Sequence, residues 1–323
     1  MESPKPYIFT DNNFNTIEDY ATSIRNLEKP KNRVDVVLDT DMFNEVDDQF
    51  ALAYLLQSQD KLNLKAIYAA PFYNHHSENP KDGMEKSYDE IFHILKLLKM
   101  EKHNDEVYKG ADSFLKDEKT PVDSDAVRHL IKLSENYNSE NRLYVIGIAA
   151  ATDIASALLL CPEIKERIFV VWLGGMGFDW HDNKSFNAGQ DVTSARVLLN
   201  SGVPMVLLPG RGVMDRFCTT GPELNYWLKG KNEFCDYMLE KTVREAEICN
   251  GNDKCWSRPI SDVAAVAWLL DGNFMLDRLI NSPVMEYDHL YAEDKRRLFI
   301  RYVYSINRDK LFEDLFEKLA RYQ

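Results

Sequence analysis

The sequence is short of positive charge. Its 39 Lys and Arg stand against 52 Asp and Glu, a formal net charge of −13, which argues against nucleic acid as the main partner because phosphate binding needs a basic face. Long apolar runs are missing too: no stretch approaches the roughly 20 residues that a membrane helix requires. The opening "MESPKPYIFTDNNFNTIEDY" has neither a basic leader nor an apolar core, so a cytoplasmic setting is expected. Cysteine is sparse and odd in number (Cys161, Cys218, Cys235, Cys249, Cys255), with no close metal spacing. Reduced thiols are the ordinary reading, and Cys249 with Cys255 is the one candidate pair. No Pro/Gly/Ser-rich linker and no internal repeat divides the 323 residues. A hydrophobic share of 45% places them in a globular class, and one large domain is expected.

What is present is alternation. Residues 1–32 are polar and read as an extension packed on the surface, with the domain proper over 33–323. From there apolar runs alternate with helical patterns. "RVDVVLD", "LKAIYAAP", "RLYVIGIAA", "RIFVVWLGG" and "PMVLLPG" read as strands. Between them "DDQFALAYLLQSQ", "GMEKSYDEIFHILKLLKM", "DAVRHLIKLSENY", "TDIASALLL" and "DVTSARVLLNSG" have helical spacing. After residue 215 the pattern is mainly helical, closing with a late strand "RRLFIRYVYSI" and a terminal helix "DKLFEDLFEKLARYQ". Near-continuous apolar strands alternating with helices predict an α/β fold. Its doubly wound, mostly parallel sheet is buried on both faces by helices.

One stretch does not fit a purely structural role. "VVLDTDMFNEVDDQFALAYLL" places Asp39, Asp41, Glu45, Asp47 and Asp48 between two segments that must be buried. In a parallel sheet, ligands bind beyond the carboxyl ends of the strands, where this cluster falls. Asp47 and Asp48 opening a helix would complement its dipole by about 0.3–1 kcal/mol each, which leaves Asp39 and Asp41 unexplained. Like charges a few ångströms apart in a partly dry crevice cost several kcal/mol unless they are protonated or share a cation. Ca²⁺, which takes about 6–8 oxygen ligands in flexible geometry, fits such a set. A solvated acidic loop is the bland alternative. Phosphohydrolases with an Asp nucleophile also carry a DxD run, but they want Thr or Val two positions beyond the second Asp, where Phe43 stands, and they lack the paired Asp.

Five segments in order give the chain a resemblance. "DTD" followed by "DD" at the first strand–helix junction resembles the metal signature of the inosine–uridine-preferring nucleoside hydrolase family. "AIYAAPFYN", "IGIAAATDIASALLLCPEIKERI", "SFNAGQDVTSARVLLNSGVPMVLLP" and "PISDVAAVAWLL" resemble its later motifs, so the likeness spans residues 34 to about 270. The resemblance implies that Asp41, Asp48, Asp262 and the main-chain oxygen of Thr152 hold Ca²⁺. Asp41 would take the proton of a water, and Asp47, Asn74 and Asn187 would bind sugar hydroxyls, with Asn183 and His75 as further candidates. Asp39 would orient the metal-binding carboxylates from behind, and Asp191 matches the motif that follows Asn187. The implied substrate is a nucleoside or related glycoside, and the implied assembly a dimer or tetramer.

The departures fall around the sugar and the leaving group. The family has three residues between its second and third Asp; this chain has five, "MFNEV", which turns Glu45 toward the pocket. Ser185 stands where the family has a Glu on the sugar's far hydroxyl. Ser261 stands where several members have a His, a presumed acid for the leaving base. His75, His76 and His181 could replace that acid, and Trp180 or Trp256 could stack on a planar leaving group. Three classes follow: hydrolysis of an N-ribosyl bond, hydrolysis of another glycoside on the same fold, or metal-dependent sugar binding without catalysis.

Overall fold

A computed structural model describes residues 15–250, 255–270 and 272–322, so the first 14 residues of the expected extension lie outside the described part. The chain opens with α1 (Ile17–Asn26), then β1 (Val34–Thr40), α2 (Asp47–Leu56), β2 (Leu62–Ala69), α3 (Pro80–Leu97) and β3 (Val107–Lys109). It continues through α4 (Asp125–Ser134), β4 (Leu143–Gly147), α5 (Thr152–Leu160), β5 (Ile168–Leu173), α6 (Phe186–Gln190), α7 (Val192–Asn200) and β6 (Met205–Leu208). The last third holds β7 (Cys218–Thr219), α8 (Gly221–Leu228), α9 (Glu233–Asn250), β8 (Arg258–Pro259) and α10 (Val263–Trp268). It ends with β9 (Met275–Asn281), β10 (Val284–Met285), β11 (Tyr291–Ala292), β12 (Phe299–Ile306) and α11 (Arg308–Arg321).

Eight strands form one sheet in the order β3-β2-β1-β4-β5-β6-β12-β9. All neighbours run parallel except the edge pair β12 and β9. This is the expected doubly wound sheet. Side chains along each strand alternate between two cores. Val36, Leu38, Ile146, Phe169, Val171, Val206 and Leu208 pack against α2, α3 and α8 to α11. Val37, Val145, Val170, Trp172, Met205 and Leu207 pack against α4, α5 and α7. Each fully buried large side chain contributes about 1.5–3 kcal/mol, so both layers favour this register. Every residue of α2 is buried, the mark of a helix enclosed on all sides rather than amphipathic.

The expected strands and helices are present, with ends trimmed by a few residues. Some elements are new. β9, "MLDRLIN", escaped the pattern because its polar residues face inward partners: Asp277 accepts from Trp268 Nε1 at 3.0 Å and from the Arg301 guanidinium. β3, β7, β8, β10 and β11 are too short to show a period. Within the expected extension, α1 is capped by Thr16 and lies on β12, with Tyr20 against Phe299 at 5.6 Å. All five cysteines are free, Cys249 and Cys255 included.

The strand order fixes where a ligand belongs. β2 lies on one side of β1 and β4 on the other, so the connections diverge at the carboxyl ends of β1 and β4 and leave a crevice there. Beneath it, fully buried Trp172 donates its indole N–H to Ala149 O at 3.1 Å, bracing the loop that leads to Thr152. Trp172→Ala is expected to cost about 3–5 kcal/mol by cavity formation, against about 1 kcal/mol for the lost hydrogen bond in Trp172→Phe. The check is a lowered urea midpoint at unchanged slope; equal midpoints for the two variants would refute the packing role.

Candidate active site

β1 delivers Asp41 into the crevice one residue after its end, and the chain then turns through "MFNEV" before α2 begins. The turn closes with Asn44 N donating to Asp41 O at 2.7 Å. It is held from three sides: Phe43 N donates to Ser87 Oγ at 3.2 Å, Gln49 Nε2 to Met42 O at 3.2 Å, and Asn74 Nδ2 to Asn44 Oδ1 at 2.6 Å. Gln49 is itself fixed by buried Glu90, which also accepts from Tyr237 and Lys241. The longer loop is a clamped structure, and Asp47 and Asp48 leave it at a defined angle. Asp262 stands at the N-terminus of α10, which packs against α2, so it faces them.

The carboxylates converge. Oxygens of Asp47, Asp48 and Asp262 lie within 4.8 Å of one another, all three buried. Asp41 is buried beside them, and its two oxygens, like those of Asp39 and like Asp48 Oδ2, have no hydrogen-bond partner. Thr40 donates its hydroxyl to the other oxygen of Asp48. Burial first, then the charges of their neighbours, pushes the carboxyls of Asp41, Asp48 and Asp262 far above the usual carboxylate range. Asp47 is pushed up to about 7 by burial and Glu45, with Arg258 opposing. Asp39 points to the other face of β1, where burial and then Asp153 raise it. Several buried, unpartnered carboxylates are costly unless protons or a cation compensate them. The donor set, hard oxygens at short separation, suits a divalent ion of the Ca²⁺ type.

Asp41, Asp47 and Asp262 help to line a cleft of about 480 Å³. Asn44, Glu45 and Ser261 line it as well, together with Trp180, His181, Lys184, Ser185, Asn187 and Arg211. Asn187 donates both amide hydrogens, to Ile148 O and Leu173 O at 2.9 Å each, which leaves its Oδ1 as acceptor. Ser185 Oγ accepts from Gly175 N at 2.7 Å and Ala188 N at 3.2 Å.

Other expected site residues have different surroundings. Asn183 lies buried with Oδ1 on Met176 N at 2.5 Å. Asn74 does not line the cleft; its amide supports Asn44 and its Oδ1 accepts from His76 N at 2.8 Å. His75 is exposed, its ring 3.9 Å from that of His76. Trp256 packs against Gly221. Thr152 opens α5 and donates its hydroxyl to Asp191 Oδ2 at 2.7 Å; Asp191 also accepts from Leu115 N and Ser194 N, tying three segments together. Residues that sequence reasoning passed over include Lys184, Arg211 and Arg258. Arg258 Nη2 lies 3.1 Å from Glu45 Oε2. No local pattern singles out an isolated Arg in "WSRPISD", although its place four residues before Asp262 is a signal of proximity.

The family model for inosine-uridine preferring nucleoside hydrolase matches residues 36–312. The chain belongs to that family. Its members are N-glycosyl hydrolases, and the fold described above is theirs. Among solved structures, a plant nucleoside hydrolase has a TM-score of 0.71 at 14% identity over 89% of this chain and 99% of its own. A purine-preferring ribonucleoside hydrolase from Gardnerella vaginalis gives 0.66 at 20% identity, over 88% and 98%. The type III effector protein XopQ, complexed with adenosine diphosphate ribose, gives 0.64 at 16% identity, over 94% and 98%. No match to a curated protein is found.

The raised carboxyls set a pH dependence. Without a cation, the unfolded chain releases these protons above the ordinary Asp value of 3.8, whereas folded Asp47 keeps its own to about 7. The folded state therefore binds more protons in that window, and stability falls as pH rises through it. In chelator-treated protein, Asp48→Asn should gain melting temperature on wild type as pH rises across the window. A difference that stays flat with pH would show that the cluster is not the source.

Proposed function

We propose that the protein hydrolyses the N-glycosidic bond of a ribonucleoside or related riboside, with Ca²⁺ held in the carboxylate cluster. The observation that carries this reading is the set of buried, unpartnered carboxylates of Asp41 and Asp48, with Asp47 and Asp262 alongside, at the switch point of the sheet and facing Asn187 across one cleft. Asp48 and Asp262 would hold the ion, with Asp47 near enough to join them; the family resemblance adds Asp41 and the Thr152 main-chain oxygen. When bound, Ca²⁺ makes a water more acidic and offers coordination positions to two vicinal hydroxyls.

The chain's own residues do the rest. Asp41, with both oxygens unpartnered, accepts the proton of the attacking water. Asp47 and the Oδ1 of Asn187 hydrogen-bond sugar hydroxyls and favour the flattened ring of an oxocarbenium-like transition state. Trp180, half-buried on the cleft wall, stacks on a planar leaving group, a role that suits a site with Ser261 in place of an acidic His. Asp39, whose oxygens make no hydrogen bond to the cluster, has no step in this reading. Asn74 acts through Asn44, and Asn183 through the Met176 backbone that it holds. The neighbour solved with adenosine diphosphate ribose is consistent with a ribose-bearing ligand in this cleft. Assembly as a cytoplasmic dimer or tetramer rests on the family resemblance alone.

Ser185, whose hydroxyl is committed to two backbone amides, favours a second reading: a glycoside without the ribose far hydroxyl, or sugar binding without turnover. Reducing-sugar release from a panel of nucleosides and aryl glycosides separates them. Nucleoside turnover should vanish with chelator, and Asp41→Ala should lower kcat about 10²–10⁴-fold. Turnover that survives both changes refutes the mechanism, and no turnover on any nucleoside refutes the substrate class.

A further inference from the structure

The cleft that takes in Asp41, Asp47 and Asp262 is also lined by two cations. In a chain of net charge −13, Lys184 and Arg211 both line this wall, are exposed, and form no ion pair with a carboxylate among the described residues. Arg211 is not a loose surface side chain at its base. Gly177 N donates to Arg211 O at 2.8 Å and Gly210 N to Gly175 O at 2.9 Å, so the loops after β5 and β6 are stitched together on both sides of it. Gly212 follows at φ +89°, a conformation that a side chain would strain. The Arg211 guanidinium lies 6.0 Å from the centre of the Trp180 ring, at the outer reach of a cation–π contact. The N–H groups of Arg211 and Gly212 find no protein acceptor among the described residues. Successive backbone N–H groups at a turn of this kind form an anion-binding concavity.

Two acids, Asp182 and Asp215, share this lining, and neither forms an ion pair with Lys184 or Arg211 among the described residues. Asp182 is engaged locally, with Oδ1 on Lys184 N at 3.1 Å and Oδ2 3.5 Å from His181 Nε2. Asp215 also lines the cleft, with Oδ1 buried and without a hydrogen-bond partner, and forms no ion pair with either cation. Ser185, beside Lys184, brings no charge where the family resemblance places a Glu for the sugar's far hydroxyl. The lining beyond the sugar thus holds two cations without carboxylate partners beside two acids.

We propose that this wall is a phosphate subsite, with Lys184, Arg211 and the Arg211 and Gly212 N–H groups receiving a phosphate carried on the far end of the ribose. The preferred substrate is then a nucleoside 5′-phosphate or a related ribosyl phosphate rather than a bare nucleoside. This rests on the ribose reading above and adds the substrate's charge to it. Charge-assisted hydrogen bonds of this kind are roughly twice as strong as neutral ones, and one well-placed contact changes affinity about tenfold.

The test compares inosine with inosine 5′-monophosphate as substrates. It also measures, by calorimetry in the presence of Ca²⁺, the binding of ribose 5-phosphate against ribose. For the wild type, kcat/KM should be about tenfold or more higher for the monophosphate. Arg211→Ala and Lys184→Ala should each lower that value by about tenfold while changing inosine by less than about twofold. Both side chains are exposed, so the variants should fold as the parent does, which unchanged melting temperatures would verify. Inosine cleaved as well as or better than its monophosphate overturns the subsite and leaves the nucleoside reading intact. If neither is cleaved, ribose 5-phosphate binding that exceeds ribose about tenfold and depends on Arg211 supports the subsite while the hydrolytic reading fails. Equal binding of the two sugars overturns the subsite.

Discussion

The structure turns on a cluster of negative charge that the fold has no means of its own to neutralise. Four carboxylates meet at the carboxyl end of β1, and Asp41 and Asp48 leave oxygens with neither solvent nor a donor. Such a set is unfavourable to bury, so the surroundings have to hold it by force of packing. α2 is enclosed on all sides, α10 is wedged against it, and the two apolar layers fix the strands that carry them. The hydrophobic core acts here as a frame that keeps repelling groups in place until a cation joins them.

That frame extends further than the acidic residues themselves. Glu90, deep on α3, gathers Gln49, Tyr237 and Lys241, and through Gln49 it fixes the carbonyl of Met42. The five-residue loop is therefore specified by groups from α2, α3 and α9, although the resemblance puts the difference in length in one short segment. Glu45 and Arg258 form a charge pair at its edge, which gives the added acid a partner outside the cluster.

Much of this was legible from the sequence. Apolar runs with both faces buried marked the parallel strands, since periodicity of that kind has few other causes. The strand-to-helix junction at residues 39–48 marked the site because its charges had no structural excuse. What stayed hidden was governed by distance in space. β9 has charged residues whose partners lie on α10 and β12, so its pattern looks like a loop until the fold is known. Arg211 and Lys184 are ordinary surface residues in the linear sequence, and only the convergence of the loops after β5 and β6 places them at one cleft, while Arg258 on β8 meets Glu45. Asn183 and Asn74 show the reverse case. Their types and places suggested direct contact with a sugar, whereas their amides are occupied by Met176, His76 and Asn44.

Asn187 joins two tasks in one side chain: its amide hydrogens close the gap between the ends of β4 and β5, and its oxygen faces the cleft. Such a residue has little freedom to drift, because any replacement must repair the scaffold before it can alter recognition. Ser185 ties only the end of β5 to the start of α6, and Ser261 makes no side-chain hydrogen bond among the described residues. Divergence within this architecture is thus channelled: specificity changes accumulate at positions that the sheet does not need, around a centre that folding itself keeps fixed.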